Sequence, residues 1–210
     1  MTKKPKTGQR RRDLCDAAIE LLAADGARGL THLRVDRHAG LADGTTSFYY
    51  QTRAALLRGA MDRVVELDIA DFTAALNATD DGEVDSLLST LAIQAMRTAV
   101  EPERSRARAR FELMMIAARD PDLGVVFDGL MDQFVAISEA AVAQVQPVGA
   151  PPDQELIKEQ AFAVVTFLGG FLFQLAYGLT EMDSAKNLER YLHSVIAGVA
   201  ADHARISDGR

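Results

Sequence analysis

The stretch GTTSFYYQTRAALL, Gly44 to Leu57, crowds three hydroxyl residues (Thr45, Thr46, Ser47) against three aromatic ones (Phe48, Tyr49, Tyr50), with Arg53 shortly before an ordinary helical Leu-Leu. The rings do not belong to a long apolar helix that would bury them all, so part of this cluster is available for another use. Working outward, Thr31 can cap a short helix running to Ala39, and Gly40 ends it, because glycine tolerates the left-handed backbone of a helix end. Asp43 can cap the next short helix, which runs to Tyr50. Upstream, RRRDLCDAAIELLAAD (10–25) places Leu14, Ala17, Ala18, Leu21 and Leu22 at helical spacing and stops at Gly26.

Downstream the helical pattern continues. A long helix starts at Arg53, TDDG (79–82) interrupts, and a helix follows over 84–100 before Glu101-Pro102 breaks the pattern. Helices are expected over 103–119 and 123–145, with Pro121 just past the end of the first. QPVGAPPD (146–153) reads as a loop, and helices over 154–180 and 184–204 close the chain. No alternating strand pattern is present, so the expected class is all-α with about nine helices: a three-helix head and a larger helical bundle.

Three short helices, the second and third joined by the tight turn AGLADG, have the layout of a helix-turn-helix, whose second helix enters the DNA major groove. Small residues at the start of that helix let the backbone approach DNA. Hydroxyls and a helix N-terminus donate to phosphate oxygens, and an aromatic edge reaches a phosphate or a thymine methyl. The charge distribution agrees. Residues 1–60 hold eleven Lys/Arg against six Asp/Glu, whereas the remainder holds twelve against twenty-four, within a net charge of −7. A basic head on an acidic body suggests a nucleic-acid partner, although a solvated tail beside an acidic domain gives the same count.

From Ala39 to Leu56, AGLADGTTSFYYQTRAAL resembles, without a gap, the tetracycline-repressor (TetR) family pattern of alanine-glycine, a turn, glycine-threonine, an aromatic cluster, a basic residue and leucine. The preceding RRRDLCDAAIELLAADGARGLTHLRV is similar to that family's first helix and the entry to its second, so the resemblance covers about residues 10–60. It implies a flexible basic tail (1–9), a DNA-binding helix-turn-helix domain (10–56) and a ligand-binding and dimerisation domain (57–210). Thr45, Ser47, Phe48 and Tyr49 fall at DNA-facing positions, Asp43 and Gly44 at the start of the recognition helix, and Thr31 and Arg53 at phosphate-contacting positions. Leu33, Val35, Leu41, Thr46 and Tyr50 fall at or near positions that hold the small domain together.

Several residues depart from the pattern. Ser47 stands where tyrosine is usual, and Thr46 replaces a leucine. Asp36 stands where a packed alanine is usual, and its burial without a partner would cost a few kcal/mol, so it is expected to turn outward or to pair with Arg34 or Arg37. Asp43 either caps the recognition helix or accepts from a cytosine amino group. The tail MTKKPKTGQRRR is too polar to fold alone. It either enters the minor groove or adds sequence-independent affinity.

One such head grips little DNA, so a homodimer on a palindromic operator is expected. The apolar stripe Leu188, Tyr191, Leu192, Val195, Ile196 and Val199, with Phe167, Gly170 and Phe171 in the preceding helix, suits a four-helix seam between subunits; covering the subunit's own core is the alternative. Phe111, Met114, Met115, Phe127, Met131 and Phe134 are adaptable apolar side chains suited to a cavity for a small hydrophobic effector. Arg110, Glu112, Gln133 and Gln174 are candidate polar anchors, and simple core packing is the competing explanation for the apolar set. The resemblance implies a repressor released from its operator by such an effector; the alternatives are a constitutive DNA binder without effector and a protein-interaction module with a degraded DNA-binding head.

Other classes find less support. The single cysteine, Cys15, excludes an intramolecular disulfide and a cysteine-based zinc site, and a reducing cytoplasm is expected. No secretory signal is visible at the N-terminus. AFAVVTFLGGFLFQLAYGL (161–179) approaches a bilayer span in length, but Gln174, Thr166 and acidic flanks point to a buried helix or a subunit interface. His32, His38, His193 and His203 form no metal-binding spacing, and no phosphate loop or nucleophile elbow is present, so neither a cofactor nor catalysis is expected.

Overall fold

The first helix forms because its apolar residues recur every three or four positions, and it bends where glycine permits. In the computed structural model, which describes residues 7–78, 86–147, 152–179 and 181–208, α1 (Thr7–Gly29) buries Leu14, Ala18, Leu21 and Leu22. Gly26 interrupts it at φ 64°. The helix begins at Thr7, so Thr7–Arg12, expected within a polar tail, are helical and only residues 1–6 of that tail lie outside the described residues.

Eight more α-helices follow among the described residues, with no strand: α2 (His32–His38), α3 (Thr45–Tyr49), α4 (Arg53–Ala78), α5 (Leu87–Arg97), α6 (Glu103–Ala117), α7 (Pro121–Gln144), α8 (Gln154–Tyr177) and α9 (Ala185–Asp208). Their starts are chemical. Thr31 accepts from the Arg34 N–H, Ser86 from Ser89, and Asp153 from both Glu155 and Leu156, each satisfying orphan donors of a first turn. Pro121 opens α7 rather than trailing α6, because its missing N–H costs nothing at the first helical position. Gly178, at φ 93°, ends α8 by donating to Gln174 and Leu175. The TDDG break and half of the 146–153 loop (148–151) lie outside the described residues.

These helices form two compact units, and α4 and α7 run through both. The first comprises residues up to Ile69 together with 101–129. In it α1 packs on α6 and on α2, and α2 on α3, around Leu14, Leu22, Leu30, Val35, Leu56, Met61 and Leu113. The second comprises 70–100 and 130–210. There α9 packs on α8 and α5 around Leu88, Val164, Leu175, Leu188 and Leu192. Buried Gln160 is satisfied on both sides, donating to the Ile196 carbonyl at 3.0 Å and accepting from Gln146 at 2.9 Å.

By length and composition α8 is the one described helix apolar enough to cross a membrane. Here its Ile157, Val164, Phe171 and Leu175 belong to the second unit's core. That core also takes Leu188, Leu192 and Ile196, so these three and Phe171 face this chain's own interior, the alternative to a seam, while Val195 and Val199 are half-buried.

Leu113 on α6 is fully buried in the first unit's core. Leu113→Ala should lower unfolding stability by about 2–5 kcal/mol, read as a shift in urea midpoint with an unchanged slope.

Candidate nucleic-acid interface

The five-residue α3 is too short to persist by helical propensity, so tertiary contacts must hold it. Its own N-cap residue, Gly44, sits in the left-handed region at φ 95° and offers no side chain. The cap comes from α2. Asp36, 1% exposed, accepts from the Gly44 N–H at 2.7 Å through Oδ2, and from the Thr46 N–H at 2.6 Å and Thr46 Oγ1 at 2.5 Å through Oδ1. Asp36 therefore neither turns outward nor pairs with Arg34 or Arg37, because three donors converge on its two oxygens. Asp43 does not cap α3 either; it is exposed and makes an ion pair with Arg37 at 3.4 Å. The N–H groups of Gly44 and Thr46 are thus occupied within the protein, and the Thr45 N–H donates to the Ala42 carbonyl, so the head of α3 is a poorer phosphate donor than its position suggests.

The far end of α3 is fastened as firmly. Tyr50 is buried, its hydroxyl 2.9 Å from Cys15 Sγ in a hydrogen bond, and His32 Nε2 donates to the Tyr50 carbonyl at 2.7 Å. Burial, reinforced by the Cys15 contact, pushes the Tyr50 hydroxyl well above the usual tyrosine range, and burial likewise raises the Cys15 thiol. Both groups stay neutral and serve packing. The Arg11 guanidinium of α1 lies over the rings of Tyr49 (5.8 Å) and Tyr50 (5.7 Å), and Tyr49 meets Phe48 edge to face.

The expected contact residues then divide. Ser47 and Phe48 project from α3, and Phe48 is 79% exposed. Thr31, Asp43, Gly44 and Arg53 are exposed around it. Thr45 and Tyr49 are half-buried, and the Thr45 hydroxyl donates to the Ala42 carbonyl at 2.6 Å. Arg53 donates to the Ala27 carbonyl at 2.5 Å, and Arg34 pairs with Asp25 and donates to the Gly29 carbonyl, so these bases also tie the end of α1 to its neighbours. Of the expected domain-holding residues, Val35, Thr46 and Tyr50 are buried and Leu41 packs against the core, whereas Leu33 is exposed.

The expected effector residues fall in both units. In the first unit, Arg110 donates to Asp68 at 3.1 Å, Glu112 accepts from the Ala27 N–H, Phe127 packs against the core, Phe111 and Met114 are half-buried, and Met115 is exposed. Met131 and Phe134 are half-buried and Gln133 exposed in the second unit. A cavity of about 580 Å³ in the second unit is lined by Phe167, Phe171, Gln174, Glu181, Arg190 and Tyr191. Gln174 is the one expected effector residue there; Phe167, Gly170 and Phe171, expected at a subunit seam, also line it. The rings of Phe167 and Phe171 stack at 6.5 Å, and Arg190 lies over Tyr191 at 4.9 Å.

The model of the tetracyclin repressor-like C-terminal domain matches residues 82–198, more than half of the chain. The chain belongs to the TetR family. Among solved structures, the multidrug binding protein EbrR, complexed with imidazole, is 26% identical, with 93% of this chain and 96% of EbrR covered and a TM-score of 0.62. EbrR has also been solved with ethidium. A TetR-family member from Streptomyces coelicolor A3 is 26% identical over 91% of this chain and 98% of that one, with a TM-score of 0.66. A protein from Saccharomonospora viridis, solved with choline, shares the fold at 16% identity and a TM-score of 0.73, with 91% of this chain and 97% of that one covered. A comparison with curated proteins finds no match. Asp36, Thr46, His32 and Arg11, outside the expected contact set, hold α3 and the residues that follow it in place.

The Tyr50 ring also limits α4. A Cβ at Gly59 would lie 2.6 Å from Tyr50 Cε1, against a ring that Cys15 and the core keep from moving. Gly59→Ala, normally stabilising in a helix, should destabilise by about 1–3 kcal/mol through overpacking, measured by thermal and urea unfolding.

Proposed function

We propose that this chain is a DNA-binding transcriptional regulator that acts as a homodimer, most simply a repressor that leaves its operator when a small hydrophobic effector binds. The observation that carries this is the presentation of α3: a five-residue helix fastened at both ends, with Ser47 and the 79%-exposed Phe48 directed away from the core. Direct readout needs such a surface, a rigid short helix whose outward side chains reach base edges. The basic balance of residues 1–60 supplies sequence-independent attraction to phosphate. Thr31, Asp43, Gly44, Thr45, Tyr49 and Arg53 complete the proposed contact set, with Arg53 at a backbone phosphate. Residues 10–56 then form the DNA-binding head, and 57–210 bind ligand and partner.

For the partner, the fully buried Leu188 and Leu192 are unsuited, and the exposed Phe162, Phe173, Tyr177 and Tyr191 of α8 and α9 take their place beside Phe167, Gly170, Val195 and Val199. For the effector, the aromatic-lined cavity of the second unit is better supported than the six expected side chains, and EbrR's complex with ethidium supports a ring-bearing molecule. Effector and DNA would weaken each other's binding by the same factor, as linkage requires. The family and a single buried thiol support a cytoplasmic protein without catalytic activity.

Selection from a random-sequence duplex pool should enrich an inverted repeat whose half-site centres lie about 10 base pairs, or a multiple, apart. On that duplex Arg53→Ala should weaken binding and reduce the salt slope by about 1, with helicity unchanged. A pool with no enriched sequence would contradict the proposal.

A further inference from the structure

We infer that Asp36 is the positioning residue of the recognition helix: its carboxylate fixes the orientation at which α3 offers Ser47 and Phe48 to base edges. This rests on the DNA-binding role proposed above and adds a residue outside the expected contact set.

The geometry is specific. Asp36 is a core position of α2, yet its three nearest polar partners, the Gly44 N–H, the Thr46 N–H and the Thr46 hydroxyl, all donate. A carboxylate accepts at both oxygens. A carboxamide of the same shape cannot, because its NH2 end must face either Gly44 or Thr46, donor to donor. The two oxygens are also divided between successive parts of the turn: Oδ2 holds Gly44, which is left-handed at φ 95°, and Oδ1 holds the first turn of α3. The single side chain therefore fixes both where the helix starts and how it is rotated about its own axis. With no cap of its own and only five residues, α3 has no internal means of keeping that rotation. Thr46, fully buried, is the matching half: its hydroxyl has a donor's role only because an acceptor lies beneath it.

Rotation of α3 affects base contacts and phosphate contacts differently. Base readout requires side chains within hydrogen-bonding or van der Waals reach of particular edges, whereas attraction to phosphate comes from basic side chains carried largely on other elements, such as Arg53 on α4. Loss of the Asp36 clamp should therefore reduce discrimination more than overall affinity.

The full chain, Asp36→Asn and Thr46→Val are compared by fluorescence anisotropy on two duplexes: the one enriched by the wild-type chain from a random pool, and a scrambled duplex of equal length at low salt. Asp36→Asn should bind the enriched duplex roughly 100-fold more weakly while changing affinity for the scrambled duplex by less than about threefold. Thr46→Val, which keeps shape and removes one donor of the three, should lose roughly fivefold to tenfold on the enriched duplex alone. Helicity by circular dichroism and oligomeric state by size exclusion are followed in parallel. If Asp36→Asn fails to fold, Thr46→Val decides, and a wild-type ratio of the two affinities in that variant overturns the inference. Parallel losses on both duplexes by folded variants overturn it as well. A wild-type chain that enriches no sequence overturns the DNA-binding role, and the inference with it; enrichment by wild type with an unchanged ratio in the variants overturns the inference alone.

Discussion

A buried carboxylate that meets three donors organises the head of this protein. An acid removed from water is costly unless its oxygens are fully used, and Asp36 uses both, on Gly44 and Thr46. The arrangement solves a problem intrinsic to a five-residue helix, whose first N–H groups have no helical partners and whose length gives no cooperativity. It also explains why Gly44 can stand in the left-handed region at the helix start without a capping side chain: the cap is supplied from the preceding helix. At the other end of α3, the buried Tyr50, bonded to Cys15 and to His32, prevents the segment from peeling away. The exposed pair Ser47 and Phe48 lies between two fixed points.

The second unit follows the same rule, with buried polar groups that are satisfied and therefore specify register. Gln160 bonds to both Gln146 and the Ile196 carbonyl, tying α8 to α9 at one relative position, while Leu188, Leu192 and Leu175 supply the apolar contact around it. Aromatic residues that this core does not absorb remain at the surface of α8 and α9 or around the cavity. That division gives the second unit a core of its own while leaving Phe162, Phe173, Tyr177 and Tyr191 exposed on α8 and α9.

Much of this was legible in the chain. The all-α class, the Thr31 cap, the Gly40 and Gly26 interruptions and the start of α4 at Arg53 follow from local chemistry, in which a hydroxyl, a glycine or a spacing acts within a few residues. What was not legible depends on partners distant in sequence. Asp36 reads as a misplaced charge until Thr46, ten residues on, is seen to be its donor; an acid at a core position of one helix together with a hydroxyl at a core position of the next was the available signal. Leu188, Leu192 and Ile196 form an apolar stripe, and a stripe looks the same whether α8 of the same chain or a second subunit covers it. The first turn of α1 was hidden because Thr7, Gly8 and Gln9 offer no apolar residue whose spacing could be read. Methionine and phenylalanine at helical spacing mark burial without distinguishing core from cavity: Phe127 packs against the first unit's core, whereas Phe167, Phe171 and Gln174 line a cavity of the second.

Amide hydrogen exchange at Gly44 and Thr46, read residue by residue by NMR in the full chain and in Asp36→Ala, addresses the central claim most directly. Strong protection of both amides in the wild type, lost in the variant while the α1 amides stay protected, is the predicted result. Exchange of these two amides at unprotected rates in the wild type would contradict the account.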